Sequence, residues 1–425
     1  MDPAMMQQFA ALLGGKGGGK GKDGGLDLQG MLGNIWDNPM VTSIAFHPSA
    51  VKAEYMDATS GPIRDGVFEV FGREKVSYRL YLPPGEVKVV VYLWHGNAET
   101  CTTTDYVKDV FAGMGAAVLS LDYRGYSWGT GKPSLTMLCG DAEACFAASL
   151  PVLEKAGCAS AKKVAMGRSI GATCAVHIAS KRAALISGLI VESGLMSVKG
   201  LPMVANLGPA ICGGEEGFRG LKEPFDTYEK MTAVSCPTLV LHGKQDEIVP
   251  FSQGSECHSK CASKDKTFKE FEDTGHNNLL LLHQKEWAEA LKELFSKAES
   301  YTEPFPAGSR VEAHSLSVEA LNGQSGCVLG PAAGGERYRV EFADPHGEKA
   351  LKPDNLKLVE DDSVDLYAAF PIGSTVEAHS LSNNDFNGLR GTVLGPQQER
   401  VSVQFPDPQG VKALKPANLK AVSDA

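Results

Sequence analysis

Three residues carry the strongest chemical signal in this sequence, and they come in a fixed order: Ser169, Asp246 and His276. Ser169 lies in Gly167-Arg168-Ser169-Ile170-Gly171, a G-x-S-x-G pattern. A shuffled chain of this composition would show that pattern about 0.4 times, so it counts only in context. The context is a short apolar run, Val164 to Met166, before it and a helix-prone stretch rich in small residues after it. On so tight a strand-to-helix turn the serine is strained and its hydroxyl is lifted clear of the sheet, while Gly167 and Gly171 let strand and helix approach closely. The first turn of the helix offers unpaired N–H groups, and that of Ile170 can donate to an oxyanion.

Serine at neutral pH is a poor nucleophile and needs a base within hydrogen-bond reach. LVLHGKQDEIVP places Asp246 just past a strand, where a side chain reaches the carboxyl edge of a parallel sheet. FEDTGHNNLLLL places His276 in a Gly-flanked loop before a helix. The order Ser, Asp, His is the one this strand–turn–helix context requires. The chemistry such a set performs is acyl transfer. Ser169 attacks a carbonyl, His276 takes its proton, and Asp246 stabilises the imidazolium.

The elements that must hold these residues are legible between about residues 65 and 300. VKVVVYLWHG (Val87 to Gly96) is a continuous apolar run, as expected for a strand buried on both faces, and AAVLSLDYRG (Ala116 to Gly125) repeats it. KKVAMG, ISGLIVES and CPTLVLHG add three strands. Pro133 to Gly157 has helical periodicity, and NNLLLLHQKEWAEALKELFSKA closes with an amphipathic helix. Strands alternating with helices predict an α/β domain with a mainly parallel sheet. The segment between Met196 and Lys230 is too short for a large lid, which predicts an open site that tolerates extended or lipid-like acyl groups.

The tail repeats itself. Phe305 to Pro331 matches Phe370 to Pro396 at an offset of 65, and HGEKALKPDNLKLV later matches QGVKALKPANLKAV. Short β-prone runs separated by Asn-Gly, Gly-Pro and Asp-Pro turns predict two small all-β units of five strands, at 305–359 and 370–422. The acidic stretch EDDSVDLYAA links them. At the other end, residues 1–40 read as a flexible leader around GGKGGGKGKDGG. Two apolar patches flank that run: Met5, Phe9, Leu12 and Leu13, then Leu28, Met31, Leu32, Ile35 and Trp36. With few basic residues on them, they are expected to dock on their own domain rather than on a membrane.

Composition narrows the rest. The net charge is -10 over 425 residues, and the tail carries 6 basic against 7 acidic residues over 305–359 and 5 against 5 over 370–425, which argues against nucleic-acid binding. No apolar run is long enough for a transmembrane span, and the first residues lack the basic flank of a signal peptide. Ten scattered cysteines do not make a disulfide framework and predict a reducing, cytoplasmic setting. Cys257-His258-x-x-Cys261 has no second ligand pair at zinc spacing, so a solvated helix with two thiols is expected there, and no metal or cofactor. His95 and His242 read as turn-packing residues, Asp122 and Arg124 as braces of a nearby loop, and Trp94 and Trp128 as core.

Taken together, HGNAET (from His95), LDYRGYSWGTGKPS (from Leu121), GRSIGA, HGKQDEIVP (from His242) and GHNN (from Gly275) give a resemblance over residues 41–300. The chain resembles the α/β-hydrolase superfamily, in the branch of α/β-hydrolase domain-containing proteins 13 and 17 and their fungal and plant relatives. The resemblance implies that Ser169 is the nucleophile, Asp246 the orienting acid and His276 the base. It also implies that the backbone N–H of Asn97 joins that of Ile170 in an oxyanion hole. The tail resembles SH3-like barrel repeats. Ser127 and Gly129 depart from the branch, which usually has glycine at the first position and serine at the second, so that loop is expected to be shaped differently. The implied function is hydrolysis of acyl esters or thioesters on a small-molecule, lipid or acylated-protein substrate, with at most peripheral membrane contact. A serine peptidase and a scaffold with a vestigial hydrolase unit are the alternatives, and the repeats are expected to bind a protein partner.

Overall fold

The computed structural model describes residues 35–212, 214–306, 309–332, 335–359, 370, 374–381, 384–397, 400–405 and 411–422. The first apolar patch, the glycine-rich run, most of the second patch and the acidic link at 360–369 lie outside the described residues.

An eight-stranded sheet organises the larger unit. Its strands are β1 (Ile63–Val70), β2 (Glu74–Tyr81), β3 (Val89–Trp94), β4 (Ala116–Leu121), β5 (Lys162–Arg168), β6 (Ile186–Glu192), β7 (Thr238–Gly243) and β8 (Lys266–Phe271). They lie in the order β1-β2-β4-β3-β5-β6-β7-β8. Strands β3 to β8 pair in parallel, while β1 and β2 form an antiparallel edge that joins β4. The mainly parallel α/β arrangement expected from the sequence is therefore what the chain adopts.

The unbroken apolar strands follow from helices on both faces. Val90, Tyr92 and Trp94 of β3 enter one core, with α3 (Leu138–Lys155) and α4 (Gly171–Lys181) against it. Val89, Val91 and Leu93 enter the other, against α2 (Lys108–Gly113) and α9 (Leu279–Ser300). Period-two alternation sends successive side chains to opposite faces, so a strand covered on both needs apolar residues at every position. Five shorter helices complete the unit: α1 (Pro39–Ala45), α5 (Pro202–Ile211), α6 (Glu215–Gly220), α7 (Thr227–Met231) and α8 (Phe251–Lys260). On α8, Cys257 is buried and the ring of His258 stacks on Phe268, with Cys261 also buried just beyond the helix. This corrects the expectation of a solvated helix: the thiols pack into the core as small apolar groups.

The tail forms two antiparallel five-stranded sheets of the same order. The first runs β12-β11-β10-β9-β13, from β9 (Arg310–Ala313), β10 (Ser325–Pro331), β11 (Tyr338–Phe342), β12 (Gly347–Leu351) and β13 (Leu356–Leu358). The second runs β17-β16-β15-β14-β18, from β14 (Thr375–Ala378), β15 (Arg390–Gln397), β16 (Arg400–Gln404), β17 (Val411–Leu414) and β18 (Leu419–Ala421). The register shifts at Val328/Gly330 in one and at Val393/Gly395 in the other, so even the bulge repeats.

Candidate active site

The turn from β5 into α4 explains why Ser169 has glycines two residues to either side. A Cβ on Gly167 would lie 2.3 Å from the Gly171 carbonyl oxygen, and one on Gly171 would lie 2.1 Å from that of Trp94. Neither position has room for another residue, because the opposing atoms are backbone. Ser169 itself sits at φ 54°, in the left-handed region that costs an L-residue steric energy. Its N–H donates to the Glu192 carbonyl at 2.9 Å, and its own carbonyl accepts from Leu195 N–H at 2.9 Å, which holds the strained residue in place.

Asp246 and His276 come from the loops after β7 and β8, and the sheet brings all three residues together. His276 Nε2 lies 3.1 Å from Ser169 Oγ, and His276 Nδ1 lies 2.8 Å from Asp246 Oδ2. Asp246 Oδ1 accepts from the N–H groups of Ile248 and Val249 at 3.0 and 2.8 Å. His242 Nε2 adds a contact to Asp246 Oδ2 at 3.2 Å while also meeting the Val249 carbonyl at 3.0 Å. Burial works against the Asp246 charge, but the hydrogen bonds from His242 and His276 outweigh it and hold the carboxyl far below the usual carboxylate range. His242 is thus more than turn packing: it flanks the acid that orients His276.

Asn97 and Ile170 both line the cavity into which Ser169 opens. Their backbone N–H groups donate to no acceptor among the described residues, which leaves them free to bind a substrate oxygen. The Asn97 carbonyl, by contrast, is held by His47 N–H at 3.1 Å and by the Tyr126 hydroxyl. Asp122 braces this turn from below, accepting from His95 Nε2 at 2.9 Å and from Cys101 N–H at 2.6 Å. Arg124 is tied to Asp141 through two hydrogen bonds. Ser127 takes φ 48°, and a Cβ at Gly129 would lie 2.7 Å from the Lys75 carbonyl. The exchange of serine and glycine in this loop thus places a strained serine where glycine is cheaper and a glycine where only glycine fits.

The cavity measures about 520 Å³ and its walls are overwhelmingly apolar, Leu195, Val198, Leu201, Val204, Leu207 and Phe218 among them. The cavity still opens to solvent, with the short segment after β6 as one of its walls. The segment after β6 folds into α5 and α6 beside Ser169, and residues from before the first strand add a second wall through Trp36, Val41 and Ile44. Trp36 Nε1 donates to the Lys222 carbonyl at 2.8 Å, and Asp37 Oδ1 accepts from Leu135 N–H at 2.8 Å, so this stretch is fastened at its start. Trp94 and Trp128 do not line the cavity; Trp94 is buried under the sheet and Trp128 Nε1 donates to the Gly66 carbonyl.

Sequence reasoning missed Arg168. Its guanidinium contacts Glu99 and Glu192 and donates to the His276 carbonyl and to Asn277 Oδ1. An arginine beside the serine, and a glutamate ending the apolar strand ISGLIVE, were the available signals. Among the described residues no cluster of three or more His, Cys, Asp or Glu side chains could hold a metal ion, and no helix is long and apolar enough to cross a membrane.

Residues 85–211 match the family model Hydrolase_4, described as serine aminopeptidase, S33. Protein bem46 of Schizosaccharomyces pombe is 30% identical over 219 residues, which cover 50% of this chain and 71% of the yeast protein. The α/β-hydrolase domain-containing protein aho-3 of Caenorhabditis elegans is 29% identical over 190 residues. There the match covers 44% of this chain and 53% of the nematode protein, so the chain spans about half the length of that relative. Among solved structures, the Pyrococcus furiosus esterase Pf2001 is similar at 18% identity and a TM-score of 0.46, covering 59% of this chain and 99% of the esterase.

Proposed function

The chain belongs to the α/β-hydrolase family, and from that premise we propose that it is a serine hydrolase cleaving acyl esters or thioesters through an acyl-enzyme intermediate. Ser169 Oγ attacks the acyl carbonyl while His276 Nε2 takes its proton, and Asp246 stabilises the imidazolium. The N–H groups of Asn97 and Ile170 receive the oxyanion. His276 then returns its proton to the leaving alkoxide or thiolate, and a water activated by the same histidine releases the acid. What supports the reading above all is the juxtaposition of Ser169, with His276 3.1 Å behind it, and a cavity of about 520 Å³ with apolar walls. Such walls suit a hydrocarbon acyl group and offer little to a polar one. The ten free thiols support a reducing, cytoplasmic setting, and the two repeats are proposed to engage a protein partner.

A fluorophosphonate probe tests the nucleophile: wild type should be labelled and Ser169→Ala should not. A panel of acyl esters, acyl thioesters and aminoacyl anilides then sorts the bond. The matched family model is described as a serine aminopeptidase, and Glu247 on the cavity wall is a carboxylate able to hold a substrate ammonium. Turnover of anilides in preference to acyl esters would establish that second reading. Labelling of neither protein, with both folded, would overturn the hydrolase assignment.

A further inference from the structure

On the opposite side of α4 from the turn that carries Ser169, five ionisable side chains meet between three helices. Cys139 and Glu143 come from α3, His177 from α4 with Arg182 just beyond its end, and Lys230 from α7. Lys230 Nζ lies 3.6 Å from Cys139 Sγ. His177 Nε2 lies 3.2 Å from one Glu143 carboxylate oxygen, and Arg182 pairs with the other. The His177 imidazole, its Nδ1 buried without a hydrogen-bond partner among the described residues, acts on the Cys139 thiol electrostatically, and the sulfur accepts its hydrogen bond from the Lys230 ammonium.

This is the setting in which a thiol ionises. Burial opposes the thiolate, but His177 and Lys230 outweigh it and hold the Cys139 thiol below its ordinary range. Burial works against the imidazolium of His177 too, yet Cys139 and Glu143 hold that group above its ordinary value. The other nine cysteines go the opposite way, each pushed up by burial. Cys139 also keeps partial exposure, shared only with Cys327 among the ten. Cys327, pushed up by burial and by the Glu341 carboxylate, serves as an internal control.

We propose that Cys139 is a reactive thiolate, held by Lys230 and the His177–Glu143 pair, that hydroperoxides oxidise to a sulfenic acid. The sulfur attacks one oxygen of hydrogen peroxide, so an S–O bond forms as the O–O bond breaks. The sulfur gives up two electrons, the peroxide is reduced, and the second oxygen leaves as hydroxide, which takes a proton from the His177 imidazolium or from water. None of these groups is used by the hydrolytic site, so this chemistry stands or falls apart from that reading.

The test is alkylation of the intact chain with iodoacetamide at pH 7, read residue by residue by peptide mass spectrometry. An ordinary thiol is about 3% ionised at that pH; a thiol held below its ordinary range is ionised further, and the lower intrinsic nucleophilicity of an acidic thiolate offsets part of that gain. Cys139 should therefore react about tenfold faster than Cys327. Lys230→Gln should bring that rate down several-fold, with folding checked by thermal melting. Treatment with hydrogen peroxide followed by dimedone should place the adduct on Cys139, and Cys139→Ser should abolish it. Equal alkylation rates for Cys139 and Cys327 in the wild type, or a dimedone adduct absent from Cys139, would overturn the proposal whether or not the variants fold.

Discussion

Arg168 Nη2 donates to the backbone carbonyl of His276 at 3.0 Å, so the residue before Ser169 holds the loop that presents the base. The same nitrogen donates to Asn277 Oδ1 at 2.9 Å, and Nη1 reaches Glu99 Oε1 at 3.0 Å. Glu99 in turn accepts from Gly96 N–H at 2.6 Å, beside Asn97. One guanidinium thus ties the turn bearing Asn97 to the loop bearing His276. Burial opposes its charge, but Glu99 and Glu192 outweigh that and push the guanidinium further up. Removing such charge-assisted bonds costs about 1.5–3 kcal/mol each, so Arg168→Gln should lower kcat/KM on a small ester by about 10- to 100-fold. Arg168→Lys, which cannot span all four partners, should recover only part of it. Ester kinetics beside thermal melting check this; unchanged kcat/KM would remove Arg168 from the site.

Gly171 allows a sharper test of the turn. Its substitution by alanine forces a methyl to within 2.1 Å of a backbone oxygen that cannot swing away. Overpacking of this kind costs about 1–3 kcal/mol or more, which should lower the melting temperature of the larger unit by about 5–10 °C. Gly113→Ala is the control. A Cβ there meets nothing within 4 Å, and the residue lies in a helix, so this change should be neutral or slightly stabilising. Equal effects of the two changes would contradict the close strand–helix approach.

Asp246 links activity to pH through a carboxyl held below its ordinary range. A carboxyl whose folded pKa is depressed adds stability that is fully present above its unfolded pKa of about 3.9 and is lost as pH falls toward the folded value. Asp246→Asn removes that contribution. The difference in melting temperature between wild type and variant should therefore be constant near neutrality and shrink below about pH 4. At pH 7 the variant should lose about a thousandfold in kcat, because the amide favours the wrong tautomer of His276. Melting curves from pH 3 to 8 decide the first point. A difference that grew as pH fell would reverse the sign assigned here.

Leu207 lies on the apolar wall and is only partly buried, so it can be enlarged without disturbing the sheet. Leu207→Trp should fill part of the cavity and cut kcat/KM on a dodecanoyl ester by about tenfold or more, with acetyl ester turnover within about twofold of wild type. Parallel loss on both chain lengths would mean that the cavity does not receive the acyl group.

The three central residues were legible because each sits beside backbone punctuation that the chemistry itself demands. Gly167 and Gly171 flank Ser169, Gly243 precedes the Asp246 loop, and Gly275 precedes His276. The buried parallel strands were equally plain, since β3 to β7 have no polar face to hide their pattern. The edge strands β1 and β8, and β2 beside the first of them, were not. β8 reads KTFKEF and shows mostly partly exposed or exposed side chains, so its pattern resembles a loop or a helix. The cavity was illegible for a different reason. Its walls come from stretches as far apart as Trp36 and Phe218, and no local period records that they converge. Arg168 was hidden by position, since its partners Glu99, Glu192 and His276 are brought to it only by the sheet.

The junction with the tail sets where the chain can be cut. Glu303 is buried and accepts hydrogen bonds from the hydroxyls of Ser235 and Tyr301 through one oxygen and from Tyr338 in β11 through the other, at 2.6 Å for the last. Tyr301 also accepts from Lys162 Nζ through its carbonyl at 2.8 Å. Three of these four groups belong to the larger unit or its last turn, so Glu303 is part of that unit's floor as well as the first contact of the repeat. Ending the chain after Phe305 should leave kcat/KM on a small ester within about twofold, because Ser169 shares no partner with the tail. Ending it after Ser300 removes Tyr301 and Glu303, strands Ser235 and Lys162, and should lower the melting temperature by several degrees. Tyr338→Phe in the full chain isolates the contact between the units and should cost about 1–3 kcal/mol in melting experiments, since it leaves one oxygen of a buried carboxylate with only the Phe305 N–H at 3.4 Å. A large loss of turnover from the cut after Phe305 would show instead that the repeats shape the site.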